Sequence, residues 1–337
     1  MNIALRADDG KEFDGAVITF NNMRGVMALW IVLGHIGMNM NADQGFFMIL
    51  QRLNLAVVGM FLFLSGYGLE RGYANKEGYL KSVPLKKIPR LFTMALIQYI
   101  IAELCFLLIG FKRQTAGFIG EFFKNTNWYI WEIISLYIVF FLSHLVFKDV
   151  KAYYAAVILS LALMVFMYST QGANAACYSG MAFPAGMMIY RIAGKAGKRI
   201  KGSYARYLIF SLILTAAAGA SVLLPKNNIF TVLGKNFFSI MVSWLVLMIF
   251  LKIDIKSRVL GFFAAMSPEI YLYQFTASTI VSLMLFKFGI LRRGLGFALL
   301  SVVLTFIMSV TVYLCRKTIE RGLRKEYKGK KNENGKN

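Results

Sequence analysis

Long apolar stretches, bounded by charged residues, Gly or Pro, recur along this chain at about 23–39, 53–69, 91–110, 128–147, 152–168, 177–192, 205–224, 236–251, 268–287 and 296–315. Each approaches the roughly 20 residues that a helix needs to cross a hydrocarbon core. The pattern predicts an all-α fold, a polytopic membrane helical bundle of about ten transmembrane helices. Three stretches carry helix-breaking residues: GMFLFLSGYGL in the second, Pro184 inside the sixth and Pro268 at the start of the ninth. Such breaks are tolerated at membrane depth where neighbouring helices or a water-filled cavity satisfy the freed backbone groups. The expected organisation is a cytoplasmic N-terminal segment (1–22), a membrane-embedded domain (23–315) and a basic cytoplasmic tail (316–337).

Charge sharpens this picture. The 337 residues are 58% hydrophobic and 16% charged, yet Lys and Arg outnumber Asp and Glu by 38 to 16, a net charge of +22. A soluble nucleic-acid binder with that charge would not also have a mean hydropathy of +0.59, so no nucleic-acid partner is expected. With a cytoplasmic N-terminus, 29 of the 38 basic residues fall on the inner side. That bias follows the positive-inside rule and places both termini in the cytoplasm of a multi-pass plasma-membrane protein. Residues 1–22 contain Asp8, Asp9, Glu12 and Asp14 and no apolar run, so the first span is expected to direct insertion itself. Cys105, Cys177 and Cys315 lie in apolar stretches without metal-ligand spacing and read as small core residues. No metal site is expected.

Ionisable residues at membrane depth are costly and therefore mark candidate sites. Glu103, Glu132 and Glu269 lie inside the expected spans, as do His35 and His144. His35 follows Arg24 by eleven residues, close to three helical turns, so the two share a face with Ala28 and Ile31. At about 1.5 Å per residue, His35 sits roughly 16 Å beyond Arg24, near mid-bilayer if Arg24 marks the cytoplasmic surface. A neutral imidazole there is able to accept a proton as a general base; equally, it can be a histidine hydrogen-bonded to a helix neighbour. Glu132 shares a face with Trp128 and Ser135 and is suited to orienting His35, pairing with an arginine or binding substrate, or to capping a packing contact in protonated form. Glu103 has weaker polar context, with only Gln98 and Tyr99 nearby, and His144 reads as an interfacial residue beside Lys148.

The inner segment 70–90 carries Arg71, Lys76, Lys81, Lys86, Lys87 and Arg90, and the segment 191–206 carries Arg191, Lys195, Lys198, Arg199, Lys201 and Arg206. Both suit an anionic cytosolic ligand with several phosphates, and both are also what topology alone requires. The basic tail reads as a solvated anchor. There is no phosphate-binding GxxxxGK[ST] loop, CxxC, HExxH or GxSxG elbow, so nucleotide hydrolysis, zinc chemistry and serine-hydrolase chemistry lack support.

Several motifs resemble those of the acyltransferase 3 family of multi-span membrane proteins. FNNMRGVMALWIVLGH resembles the family's opening Arg and His separated by ten residues, and GMFLFLSGYGL, with Ser65 and Tyr67, resembles its FFxLSGF segment. LKKIPRLF is similar to the basic start of the third span, NWYIWEIISLY, with Trp128, Glu132 and Tyr137, to the fourth-span pattern, and MSPEIYLYQF to the near-terminal S-Y-x-x-Y-L-x-H segment. The last motif's His is Gln274 here, which can still donate and accept hydrogen bonds. The resemblance covers about residues 20 to 315. It implies transfer of an acyl group, commonly acetyl, from a cytosolic thioester donor, acetyl-CoA or another acyl-CoA, which is a substrate and not a permanently bound cofactor, to a hydroxyl of a cell-surface, exported or lipid-linked glycan. It further implies His35 as general base, Arg24 fixing the donor or the His35 tautomer, and Glu132 orienting the site. Arg71, Lys86, Lys87 and Arg90 would meet the donor, with Ser65, Tyr67, Trp128, Tyr137, Tyr273 and Gln274 as further substrate contacts. The competing expectation is a secondary transporter or flippase of a glycan or lipid-linked substrate, since broken helices and buried ionisable residues occur there too. A non-catalytic sensor of surface polymers is a third. Nothing in the sequence identifies the acceptor or the oligomeric state.

Overall fold

A computed structural model describes residues 10–38, 40, 45–111, 118–125, 128–172, 175–191, 203–223, 228–253, 257–290 and 294–334, and among these residues there are helices and connections but no strand. The helices are α1 (Gly10–Met38), α2 (Gly45–Asn75), α3 (Tyr79–Ser82), α4 (Ile88–Leu108), α5 (Phe118–Asn125), α6 (Trp128–Val146), α7 (Asp149–Gln171), α8 (182–191), α9 (Tyr204–Leu223), α10 (Ile229–Lys252), α11 (Arg258–Ala265), α12 (Ser267–Lys287) and α13 (Leu295–Asn334). A π-helical turn, Val83–Lys87, joins α3 to α4. A 3-10 turn, Ala175–Cys177, precedes α8.

Local sequence explains where several of these helices begin. The Asn228 side chain accepts from the Thr231 amide (2.7 Å) at the start of α10, and Ser257 does the same for Leu260 (3.2 Å) at the start of α11. Each satisfies one of the amides that a first turn leaves unpaired. Pro89 and Pro268 occupy the first turns of α4 and α12, where a proline costs no hydrogen bond.

Seven helices are long and apolar enough to cross a membrane, by length and composition: those within α2, α3–α4, α6, α7, α9, α10 and α13. The protein is a polytopic helical membrane bundle. The three other expected spans differ for identifiable reasons. α1 carries Asn21, Asn22, Arg24 and His35, α12 carries Glu269, Gln274 and Thr276, and α8 has only ten residues, about 15 Å of helix. α2 is the most enclosed candidate span and α9 the least. Large apolar side chains left exposed, such as Leu104 and Leu107 of α4, Ile158 and Phe166 of α7, and Ile209 and Ile213 of α9, form the faces that lipid would cover.

The break expected at GMFLFLSGYGL is absent, since α2 runs through it without interruption. Gly59 and Gly66 serve packing instead, while a Cβ on Gly68 would meet nothing within 4 Å. A Cβ on Gly66 would lie 2.1 Å from the Phe183 carbonyl oxygen, and one on Gly186 would lie 1.9 Å from that of Phe63. The backbones of α2 and α8 therefore touch, a contact open only to small residues. The sixth expected span is broken, but ahead of Pro184 rather than at it: α8 begins at residue 182, which puts the proline in its first turn. The non-helical stretch before it is buried in protein. Asn236 of α10 accepts from the Met181 amide (3.0 Å) and donates to the Cys177 carbonyl (2.6 Å), so one side chain satisfies two backbone groups that the break leaves without a helical partner. Cys177 is buried as expected, while Cys315 lies on an exposed face of α13.

Candidate active site

Eight helical elements converge on a cavity of about 490 Å³. α1 contributes Asn21 and Arg24, α2 contributes Phe61 and Ser65, and the π-helical turn and α4 contribute Lys87 and Arg90. α6 supplies Tyr129 and Tyr137, the α11–α12 corner supplies Ser267 and Tyr271, and α13 supplies Arg316. Among the described residues, four cations thus line the cavity and no carboxylate does. The π-turn widens the backbone just ahead of Pro89, a local irregularity often found at functional sites, and Lys87 is steadied by the Tyr79 ring, whose centroid lies 4.9 Å from Nζ.

Arg24 faces the phenols of Tyr129 and Tyr137, and among the described residues no carboxylate pairs with it. A half-buried guanidinium left without a counter-charge is suited to an anionic ligand. Tyr137 in turn neighbours Ser65, whose hydroxyl donates to the Phe61 carbonyl (2.8 Å). Five residues singled out by sequence, Arg24, Ser65, Lys87, Arg90 and Tyr137, are therefore brought together.

The others fall elsewhere. His35 lies one layer beyond the cavity. Its ring centroid is 6.4 Å from that of Tyr271 and 4.6 Å from that of Phe275, and the Gln274 carboxamide faces it. Tyr271 packs against Tyr129 at 4.6 Å, so these two phenols form the wall between the cavity and the imidazole. Glu132 is 1% exposed, and neither of its carboxyl oxygens has a hydrogen-bond partner among the described residues. It does not hydrogen-bond His35 and sits instead beside Gly180, at the break ahead of α8. Trp128 packs edge-on to Tyr129 outside the cavity, and Tyr67 is held between Phe20 and Tyr190. Lys86 is exposed and points away from the cavity, Arg71 is half-buried outside it, and Tyr273 is buried in the core beside Glu269. Of the second basic segment, residues 192–202 lie outside the described residues.

Sequence reasoning missed two arrangements. Arg316, read as the first residue of an anchor, reaches the cavity through an ion pair with Glu269 (2.7 Å). The second is a buried charge cluster around Glu70, which is wholly buried. Its carboxylate accepts from the Tyr153 hydroxyl and from Arg191 Nε (3.2 Å) and lies 3.0 Å from His144 Nε2. His144, expected beside Lys148 at the membrane interface, is buried in protein, stacks on Phe140 and turns Nδ1 to the Phe140 carbonyl oxygen (3.1 Å). A signal for this existed, because the second and fourth apolar stretches cross in the same direction and end at Glu70 and His144, which places the two at one level.

A multi-span helical bundle with a cation-lined cavity is a framework suited to a membrane protein with an anionic ligand. The chain belongs to the acyltransferase 3 family: the family model described as an acyltransferase domain matches residues 17–315, most of its length. It is a membrane acyltransferase. No curated protein and no solved structure matches it.

Proposed function

We propose that this protein is an O-acyltransferase that moves an acetyl group from a cytosolic CoA thioester to a hydroxyl of a cell-surface, exported or lipid-linked glycan. The observation that carries the reading is the cavity, in which Arg24, Lys87 and Arg90 converge with no carboxylate in the lining and His35 lies one aromatic layer beyond. The polyphosphate end of the donor binds these cations at the end of the bundle that the charge bias assigns to the cytoplasm. The acyl arm reaches past Tyr129 and Tyr271 toward His35. The imidazole takes the proton of the acceptor hydroxyl, the hydroxyl oxygen attacks the thioester carbonyl, and the departing thiolate takes that proton back. Arg24 fixes the donor, and Glu132, on the far side of α6, serves the acceptor rather than the orientation of His35. The membrane-embedded domain is residues 23–315, followed by the tail from 316.

The test is acetyl transfer, or acetyl-CoA hydrolysis, by the purified full chain and its His35→Ala variant. Removal of a general base is expected to lower turnover by about 100- to 10,000-fold with donor affinity retained. Wild-type turnover in that variant removes His35 from the mechanism. Tight donor binding with no acyl transfer to any glycan fraction removes the acceptor assignment.

A further inference from the structure

Arg90 and Arg316 line the outer part of the cavity, and one carboxylate bridges them. Glu320 Oε1 lies 3.4 Å from Arg90 Nη2 and 3.6 Å from Arg316 Nη1. On its other side, Arg316 is tied through Nε to Glu269, which is 1% exposed. The two contacts differ in kind. The pair to Glu269 is short, and its carboxylate is buried. The contacts to Glu320 are long, reach a single oxygen, and join side chains that are 58% (Arg90) and 45% (Glu320) exposed. Such pairs contribute little and are easily displaced.

We infer that Arg90 and Arg316 form an anion subsite for the terminal phosphomonoester of the donor, which Glu320 fills as a stand-in carboxylate when the donor is absent. The inference rests on the acyl-CoA reading above and extends it to Arg316 and Glu320 of α13, just beyond the stretch the family model matches. A phosphomonoester dianion carries more charge and three acceptor oxygens, and two guanidinium forks can each take a pair of them, so it outcompetes one half-exposed carboxylate. Position selects which phosphate binds. Arg90 is 58% exposed, whereas His35 lies behind Tyr271 and Tyr129, and in an extended CoA thioester the 3′-phosphate lies at the nucleotide end, away from the acyl group. Glu269 is a positioning residue, because it holds Arg316 without lining the cavity.

The experiment measures the affinity of the full chain in nanodiscs for acetyl-CoA, its 3′-dephospho form and adenosine 3′,5′-bisphosphate. Glu320→Gln, an exposed change that leaves the fold alone, is expected to tighten acetyl-CoA and the bisphosphate about two- to five-fold. It should leave the dephospho ligand unchanged. Arg316→Gln combined with Glu269→Gln, which leaves no buried charge unpaired, is expected to weaken acetyl-CoA about ten-fold or more and to abolish the effect of Glu320→Gln. Unchanged acetyl-CoA affinity in Glu320→Gln overturns the inference, and equal effects on the dephospho ligand overturn the phosphomonoester assignment. Glu320-dependent binding of the bisphosphate without acetyl transfer keeps the subsite and rejects the acyl-transfer reading. A wild-type chain that binds none of the three ligands rejects both.

Discussion

Replacing Glu70 by Ala tests whether the buried charge cluster holds α2, α6, α7 and α8 together. The carboxylate contacts one side chain from each of three helices, His144, Tyr153 and Arg191. Without it, Arg191 can turn to water, because 43% of its side chain is exposed, and Tyr153 keeps its bond to Arg191 Nε at 2.6 Å. His144 has no such recourse: its side chain is 2% exposed and Nε2 loses its acceptor. Removing one partner of a buried pair costs about 3–5 kcal/mol in soluble proteins, whereas interhelical side-chain hydrogen bonds in membranes average about 0.6 kcal/mol each. Three bonds on the membrane scale and one orphaned imidazole on the other bracket the expected loss at about 2–5 kcal/mol. That is roughly a 30- to 5,000-fold shift in the unfolding equilibrium. Reversible unfolding in mixed micelles reads it, with His144→Ala and the double variant completing a cycle. If the orphaned ring is the cause, His144→Ala costs less in the Glu70→Ala background than in the wild type, by more than about 0.5 kcal/mol. A Glu70→Ala protein within about 0.5 kcal/mol of wild type, or strict additivity in the cycle, refutes the reasoning.

Three further outcomes follow from the same structure. Asn236→Ala orphans the Met181 amide and the Cys177 carbonyl and is expected to cost about 1–3 kcal/mol, read by the same unfolding assay, with Asn236→Asp milder because it still accepts from Met181. Gly186→Leu drives a side chain into the Phe63 backbone and is expected to destabilise more than Gly261→Leu, where a Cβ meets nothing within 4 Å. Neutralising Lys87 is expected to weaken acetyl-CoA binding several-fold, while neutralising the exposed Lys86 next to it leaves the affinity within two-fold, about the worth of one screened surface charge; equal effects of the two would assign the charge to topology alone.

How much of this was legible in sequence depends on how each residue acquires its role. The fold class and the Arg24–His35 relation were readable because a helix converts sequence separation directly into depth and face, so eleven residues on α1 suffice to put a cation in a cavity and an imidazole one layer beyond it. The cluster KKIPR was readable as basic, but only the π-turn decides that Lys87 and Arg90 turn inward while Lys86 turns out. Glu132 had the right depth and the wrong neighbour: it faces the break before α8, and that break sits several residues ahead of the proline that advertised it. Arg316 and Glu70 were not legible in one dimension. Each sits just past the end of an apolar stretch, where composition alone expects a topological charge. What distinguishes them is a carboxylate or an imidazole supplied by another helix at the same level.

The layer between the cavity and His35 constrains the ligand more tightly than the charges do. A compact anion that fills the cation-lined space still ends at Tyr129 and Tyr271, short of an imidazole that α1 places roughly 16 Å along its axis from Arg24. Cations at one end and the base at the other are productive together only if the reactive group travels on a narrow arm of comparable length. Under the proposed reading, a CoA thioester has that shape and a small acyl phosphate does not. The aromatic wall then acts as a length filter, and charge attracts both donors while only reach discriminates between them. Small residues in the wall should relax the discrimination: Tyr271→Ala is expected to raise hydrolysis of acetyl phosphate relative to acetyl-CoA. An unchanged ratio would mean that the path to His35 does not run between these two phenols.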